Sequence, residues 1–229
     1  SYAQALERDR ARLLDAYGRT NHSPLGAAAF AGTPFPVDRA RTAALLGFDG
    51  VCANSMDAVS TRDFMREAVA AMGQTVATAA GIATDLVGAA GRGHVTIADA
   101  YASTSSIMPQ KVNPDSLELV RAAAGSIQGA QTAIAAIVTG LPRAYNRDLQ
   151  AATPHLWTAV DATEAVGVTA GAVATMRVDT AALAAAAAGG FSTATGVADT
   201  LAMAGIPFRA AHHIVAEVAA ATDDPDVAT

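Results

Sequence analysis

Residues 60–90, "STRDFMREAVAAMGQTVATAAGIATDLVGAA", decide the fold class. Apolar and small side chains recur every three or four residues, which is the period of an α-helix with one buried face. Ser60 followed by Asp63 resembles a capping box, so we expect a helix that begins there and runs toward Ala90. Helices of roughly 25 residues are about 40 Å long at ~1.5 Å per residue, which is typical of an elongated helical bundle. The apolar positions are Phe64, Ala68, Met72, Val76, Ala79, Ala83 and Leu86.

The rest of the chain also favours helices. Gly18 and Gly47 are expected to end helices, because glycine readily adopts the left-handed conformation that closes a helix. Strands have almost no support in the sequence, so the predicted fold class is all-α. Further helices are predicted at residues 2–17, 40–46, 115–140 and 154–176.

The pattern changes after Asp179, where helices become short. Gly189-Gly190 and the "GIP" beginning at Gly205 are expected to interrupt them. The sequence therefore predicts two domains. Residues 1–176 form a central long-helix bundle domain, and residues 177–229 form a small C-terminal helical domain.

The composition argues against several classes of protein. The chain has 229 residues and a net charge of −6 without a basic run, which argues against a nucleic-acid partner. The single cysteine, Cys52, excludes an intrachain disulfide and favours a reducing cytoplasm. The longest apolar segments contain charged residues such as Glu67, Asp85 and Asp161, which argues against a membrane-spanning protein.

The segment "ASTSSIMPQKVNPDSLE", residues 102–118, carries the chemistry. Ser105 or Ser106 could act as a base if it were activated, Lys111 supplies a cation, and Asn113 supplies an amide. Together these groups suit a carboxylate substrate that a mobile loop closes over. From the residues alone, a solvated connection that ends in a helix cap remains an alternative.

Five longer strings extend this observation. "SSIMPQKVNPD" resembles the signature loop of the fumarase/aspartase superfamily, and the other four resemble its argininosuccinate lyase branch. That resemblance implies a long-helix bundle and an enzyme that eliminates fumarate from an N-substituted aspartate. The other strings are "SPLGAAAFAGTPFPVDR" (23–39), "NSMDAVSTRDF" (54–64), "GLPRAYNRDLQ" (140–150) and "GFSTATGVADTLAMAGIPFRAAHHIV" (190–215).

The resemblance assigns roles within the serine loop. It implies that Ser105 is the base that removes a proton from the carbon beside a carboxylate. Lys111 and Asn113 are implied to stabilise the doubly charged intermediate, with Ser106 and Met108 as loop neighbours that contact the substrate.

The resemblance also assigns residues outside this loop. Tyr145 and Gln150 are implied to bind the amino-acid part of the substrate, and Asn54 and Ser55 are implied to lie near the site. It implies no cofactor and no metal, and the sequence has no metal-ligand spacing. It further implies a homotetramer whose active sites are shared between subunits. A catalytic Thr-His motif is expected upstream of Ser1, in an N-terminal domain that this chain is expected to lack.

Three positions depart from the branch. Thr104 stands where the family has glycine, Val112 where the branch generally has lysine, and Thr153 where a lysine binds substrate. Argininosuccinate, giving arginine and fumarate, is the first expectation for the substrate. A related lyase that releases a different amine, and an inactive structural relative, remain the alternatives.

Overall fold

The computed structural model describes residues 1–189 and 191–221. These residues form ten α-helices, one 3-10 helix and six strands of two residues each, so the predicted all-α class is confirmed. Gly190 and residues 222–229 of the predicted second domain lie outside the described residues. Within the described part of the chain, no helix is both long enough and apolar enough to span a membrane.

The strands form three isolated two-stranded pairs. β1 (His22–Ser23) pairs in parallel with β2 (Gly50–Val51), β3 (Val95–Thr96) is antiparallel to β6 (Arg177–Val178), and β4 (Ser103–Thr104) is antiparallel to β5 (Val112–Asn113). The helices are α1 Tyr2–Thr20, α2 Arg39–Leu46, α3 Ser55–Ser60, α4 Asp63–Gly91, α5 Asp115–Val138, α6 Leu149–Ala162, α7 Glu164–Thr175, α8 Thr180–Ala188, α9 Ala194–Met203 and α10 Phe208–Ala221.

The predicted roles of Gly18 and Ser60 at helix ends are wrong. Gly18 does not end α1, which continues to Thr20. Ser60 does not cap α4, because it is the last residue of the short helix α3, and its hydroxyl donates to the carbonyl of Met56. Gly47 does end α2 in the left-handed conformation, with a φ of 78°, as predicted.

The helix predicted over residues 154–176 is two helices. The first, α6, begins five residues earlier than expected and contains Pro154. Proline lacks the N–H that would bond to the carbonyl of Gln150, but Gln150 is exposed and that carbonyl can bond water. The helix is interrupted at Thr163, whose hydroxyl donates to the carbonyl of Val160 at 2.6 Å, and α7 follows.

The chain divides into two compact units, one of residues 1–88 and 97–175 and the other of residues 89–96 and the described residues from 176 onward. In the second unit, β3 and β6 pair, and the amide of Asp179 donates to the carbonyl of His94 at 2.9 Å. Helices α9 and α10 pack together in this unit, and both Ala198 and Ala211 are buried. The domain boundary at residue 177 stays a prediction.

In the first unit, α1 and α4 are antiparallel and joined by polar side chains along their length. Tyr2 donates to Asp85 at 2.7 Å near one end, and Arg19 donates to Glu67 at 2.8 Å near the other. The Arg19 hydrogen bonds hold the pKa of Glu67 below its usual range. Between these ends, Thr78 donates to Asp9 at 2.6 Å, and only 1% of Asp9 is exposed.

Helices α4 to α7 form the rest of this core. Helix α4 meets side chains of α5 at Gly73, where an added Cβ would lie 3.6–3.9 Å from three of them. Helix α5 packs against both α6 and α7. The fully buried side chains from these helices are mostly aliphatic or alanine, and they include Val69, Val76, Leu117, Ile127, Ile134, Ala152, Ala159 and Ala172.

Thr78→Val is expected to lower the free energy of unfolding by about 1–3 kcal/mol, because it leaves the buried Asp9 carboxylate with one hydrogen-bond donor fewer. The measurement is urea unfolding at a fixed protein concentration. Thr84→Val is the control, since the exposed Thr84 hydroxyl bonds only to Ala80 of its own helix. Its effect should stay within about 0.5 kcal/mol, and equal effects of the two substitutions would contradict the assigned role of Thr78.

Candidate functional site

The segment with the two serines is a β-hairpin that leads directly into α5. Ser103 pairs with Asn113 and Thr104 pairs with Val112 across the two strands. Beyond the strands, the amide of Ser105 donates to the carbonyl of Lys111 at 3.0 Å. Five predicted site residues therefore lie on one hairpin, hereafter the serine hairpin: Ser105, Ser106, Met108, Lys111 and Asn113.

The hydroxyl of Ser105 accepts hydrogen bonds from two backbone amides. The N–H of Met108 donates to Oγ at 3.1 Å and that of Ile107 donates at 3.3 Å. Two converging N–H groups stabilise negative charge on the oxygen that they face. The local turn thus places two N–H donors where they would also face an alkoxide at Ser105 Oγ.

The tip of the hairpin faces solvent in this single chain. Ser106, Met108 and Lys111 are exposed, and 87% of Ile107 is exposed. Within the described part of the chain, no carboxylate lies within 4.0 Å of the Lys111 ammonium. Its charge is therefore not neutralised by an ion pair and remains available to an anionic ligand.

Tyr101 anchors the start of the hairpin on α7. It lies in the 3-10 helix Asp99–Tyr101, two residues before the first strand. Its phenol ring lies so close to Gly171 that an added Cβ there would overlap Tyr101 Oη. Glycine at position 171 therefore lets Tyr101 pack directly on the backbone of α7.

The second group of predicted residues lies in the loop between α5 and α6 and on α3. Tyr145 is 52% exposed, and its amide donates to the carbonyl of Ala29 at 3.3 Å. Gln150 is exposed near the start of α6. Asn54 caps α3 by accepting from the amide of Asp57 at 3.0 Å, and Ser55 is the first residue of that helix.

A groove of about 1390 Å³ lies beside α3. It is lined by Asn54 and by residues that the sequence did not single out as site residues, including His22, Arg62 and Arg66. Arg62 is half-buried and donates to the carbonyls of Val59 and Thr61, and burial lowers the pKa of its guanidinium. Ser105, Lys111, Tyr145 and Gln150 do not line this groove.

Helix α5 separates the two groups of predicted site residues. The serine hairpin directly precedes the first residue of α5, and the Tyr145 loop follows its last residue. The helix has 24 residues and is about 36 Å long. Helices α6 and α7 show the same separation, because they run back from the Tyr145 loop toward the hairpin. Gln150 of α6 lies near the Tyr145 loop, while Gly171 of α7 contacts Tyr101 beside the hairpin. One copy of the chain therefore cannot bring Ser105 and Tyr145 to the same small substrate.

Two family models match the sequence. The family described as Lyase matches residues 1–129, and the family described as Argininosuccinate lyase C-terminal matches residues 191–228. The chain belongs to the argininosuccinate lyase branch of the fumarase/aspartase superfamily. The resemblance carried by its motifs is thereby confirmed.

Curated argininosuccinate lyases resemble this chain over most of its length. The chain is 64% identical over 217 residues to an argininosuccinate lyase of Halobacterium salinarum, covering 94% of this chain and 45% of the relative. It is 63% identical over 225 residues to that of Natronomonas pharaonis, covering 98% of this chain and 46% of the relative. The chain thus spans less than half the length of these relatives.

Solved structures support the same superfamily fold. An EDDS lyase in complex with formate has a TM-score of 0.84 at 33% identity, over 94% of this chain and 44% of that protein. A class II fumarase from Schistosoma mansoni has a TM-score of 0.74 at 14% identity, over 93% of this chain and 50% of the fumarase. The fumarase likeness concerns the fold alone.

Gly171→Ala is expected to displace Tyr101 and to destabilise the protein by about 1–3 kcal/mol, the usual cost of overpacking. Gly167→Ala on the same helix is the matched control, because a Cβ there meets no atom within 4 Å. The control should be neutral or stabilising by up to about 1 kcal/mol, since alanine favours a helix. Thermal unfolding of both variants checks this, and equal midpoints would contradict the contact.

Proposed function

We propose that the full protein is a carbon–nitrogen lyase that eliminates fumarate from an N-substituted aspartate, with argininosuccinate as the first candidate substrate. Membership of the argininosuccinate lyase branch is the observation that carries this proposal. The two amides that face Ser105 Oγ provide independent chemical support.

Ser105 is the proposed general base. Its alkoxide removes a proton from the carbon beside a carboxylate, which leaves an intermediate with two negative charges on that carboxylate. The electron pair on carbon then forms the carbon–carbon double bond of fumarate while the carbon–nitrogen bond breaks. The nitrogen, which is protonated in the bound substrate, takes the electron pair of that bond and leaves as the neutral amine. The amides of Ile107 and Met108 lower the cost of the alkoxide.

Lys111 and Asn113 are proposed to stabilise the charged intermediate. Lys111 has no carboxylate partner within 4.0 Å in the described chain, and it lies across the hairpin from Ser105. Asn113 is half-buried at the base of the hairpin and offers amide N–H donors. Ser106 and Met108 are proposed to contact the substrate when the hairpin tip is covered, because exclusion of water strengthens these interactions.

Tyr145, Gln150, Asn54 and Ser55 are proposed to bind the remainder of the substrate. Because α5 is about 36 Å long and separates the serine hairpin from the Tyr145 loop of one copy, we propose that a complete site requires a second copy. We propose the homotetramer typical of the superfamily. Exposed large apolar side chains on the long helices support a further interface, among them Leu119 of α5 and Trp157 of α6, which are 70% and 58% exposed.

A related lyase that releases a different amine is the second candidate. Thr153 lies one helical turn after Gln150, where the branch typically has a substrate-binding lysine. The likeness to an EDDS lyase at 33% identity also favours this alternative. The single cysteine supports a reducing cytoplasm as the proposed location.

The test is fumarate release from a panel of N-substituted aspartates, followed by ultraviolet absorbance with the full-length protein. The panel includes argininosuccinate, and the substrate with the highest kcat/KM identifies the amine. Absence of turnover on every member would contradict the proposal and would favour an inactive structural relative.

Ser105→Ala is expected to lower kcat by about 10²–10⁴-fold, the usual contribution of a general base. Ser103→Ala is the matched control, because Ser103 is exposed on the same hairpin and its hydroxyl makes no hydrogen bond among the described residues. The control should keep kcat within about twofold, as an ordinary surface change does. Full turnover by Ser105→Ala would exclude that residue as the base.

A further inference from the structure

Ala144, the residue before Tyr145, has a backbone conformation that alanine avoids. Its φ is +77°, in the left-handed region where the Cβ of an L-residue crowds the following carbonyl. Such a conformation persists only where the surrounding structure holds it, and it is found disproportionately at functional sites. The contacts of Ala144 therefore matter to the position of the neighbouring Tyr145.

Ser60 makes the shortest of these contacts. The amide of Ala144 donates to Ser60 Oγ at 2.6 Å, across 84 positions of sequence. The same hydroxyl donates its own hydrogen to the carbonyl of Met56 at 2.7 Å. The orientation of the hydroxyl is thus fixed by its helix, which directs an oxygen lone pair toward the loop.

The loop is held on both sides of Ala144. The amide of Tyr145 donates to the carbonyl of Ala29, and the side-chain amide of Asn146 donates to the carbonyls of Pro142 and Ala144 at 2.8 and 3.1 Å. Arg143 lies 3.8 Å from Asp57 of α3. The backbone of Tyr145 is therefore fixed while half of its surface remains open to a ligand.

Helix α3 connects this loop to two other predicted site residues. It begins at Ser55, its cap is Asn54, and it ends at Ser60. One short helix thus links Asn54 and Ser55 at its start to the Tyr145 loop at its end. A hydroxyl at its last position sets the distance between these two parts of the proposed site.

We propose that Ser60 is a positioning residue for substrate binding: its hydroxyl holds Ala144 in the left-handed conformation and thereby presents the Tyr145 phenol to the substrate. This inference rests on the proposed function of Tyr145. Ser60 itself touches no substrate, and its effect passes through the backbone at residues 144 and 145.

The kinetic test is a double-mutant cycle in the full-length protein, with the best substrate from the panel. Ser60→Ala is expected to raise KM about tenfold and to change kcat much less, because it misplaces a group that binds substrate. Ser60→Thr keeps the hydroxyl and should restore KM. In a Tyr145→Phe background, which lacks the phenol, Ser60→Ala should raise KM no further.

Thr84→Ala is the control, since it also removes a hydroxyl bonded to a carbonyl of its own helix but no loop amide. It should leave KM unchanged. A folded Ser60→Ala protein with the KM of the unmodified protein would overturn the inference. The inference would also be overturned if Ser60→Ala raised KM equally in the unmodified protein and in the Tyr145→Phe background, because that result would indicate a merely structural role for Ser60.

Amide hydrogen exchange separates this inference from the proposed function. The Ala144 amide should exchange slowly in the unmodified protein and about tenfold faster or more in Ser60→Ala, whether or not any substrate turns over. If no panel member releases fumarate but this change is observed, the proposed function fails and the positioning of the loop stands. Rapid exchange at Ala144 in the unmodified protein would refute the positioning itself.

Discussion

The length of α5 is the constraint on which the rest of the account depends. This helix of 24 residues is about 36 Å long and carries the serine hairpin at its start and the Tyr145 loop at its end, so two parts of the proposed site lie at opposite ends of it. The helix cannot bend enough to bring them together, because Leu117, Ile127 and Ile134 are fully buried along its length against its neighbours. A substrate the size of an amino-acid derivative can meet both parts only where two copies of the chain adjoin. The same helices that separate the residues within one copy offer the exposed apolar surfaces through which copies can associate.

Each part of the site is prepared locally before any assembly. At the hairpin, a tight turn directs two amides at Ser105 Oγ. Tyr101, just before the hairpin, packs directly against the backbone of α7 at Gly171. At the opposite end of α5, a hydroxyl at the end of α3 fixes Ala144. Preorganised groups of this kind lose little freedom when the substrate binds. In the proposed assembly, these two locally ordered parts would come together and exclude water.

The sequence predicted the helical architecture well, but it predicted the local hydrogen bonds, backbone conformations and helix boundaries poorly. Long runs with a period of 3.6 residues predicted α4 and α5, because burial of one face dominates their energetics. Residues 103–113 were predicted as part of a loop, and their two short strands were missed because two residues are too few to show a period. The hydrogen bond between Ser60 and Ala144 was missed because serine three residues before Asp63 also fits a helix cap, and only tertiary structure reveals Ala144 as its partner. The left-handed φ of Ala144 leaves no sequence signal, since the residue is not glycine or asparagine. The start of α6 was missed because Pro154 lies inside the helix, where it leaves free the carbonyl of the exposed residue Gln150.

Complementation between two inactive variants tests the central claim most directly. Full-length Ser105→Ala and Tyr145→Ala copies with different affinity tags are produced together, and mixed oligomers are purified through both tags. If the hairpin of one copy works with the Tyr145 loop of another, mixed oligomers should release fumarate although each variant alone does not. Ser105→Ala mixed with Lys111→Gln is the control, and it should stay inactive because both changes affect the same hairpin. Mixed Ser105→Ala and Tyr145→Ala oligomers as inactive as that control would contradict a site shared between copies.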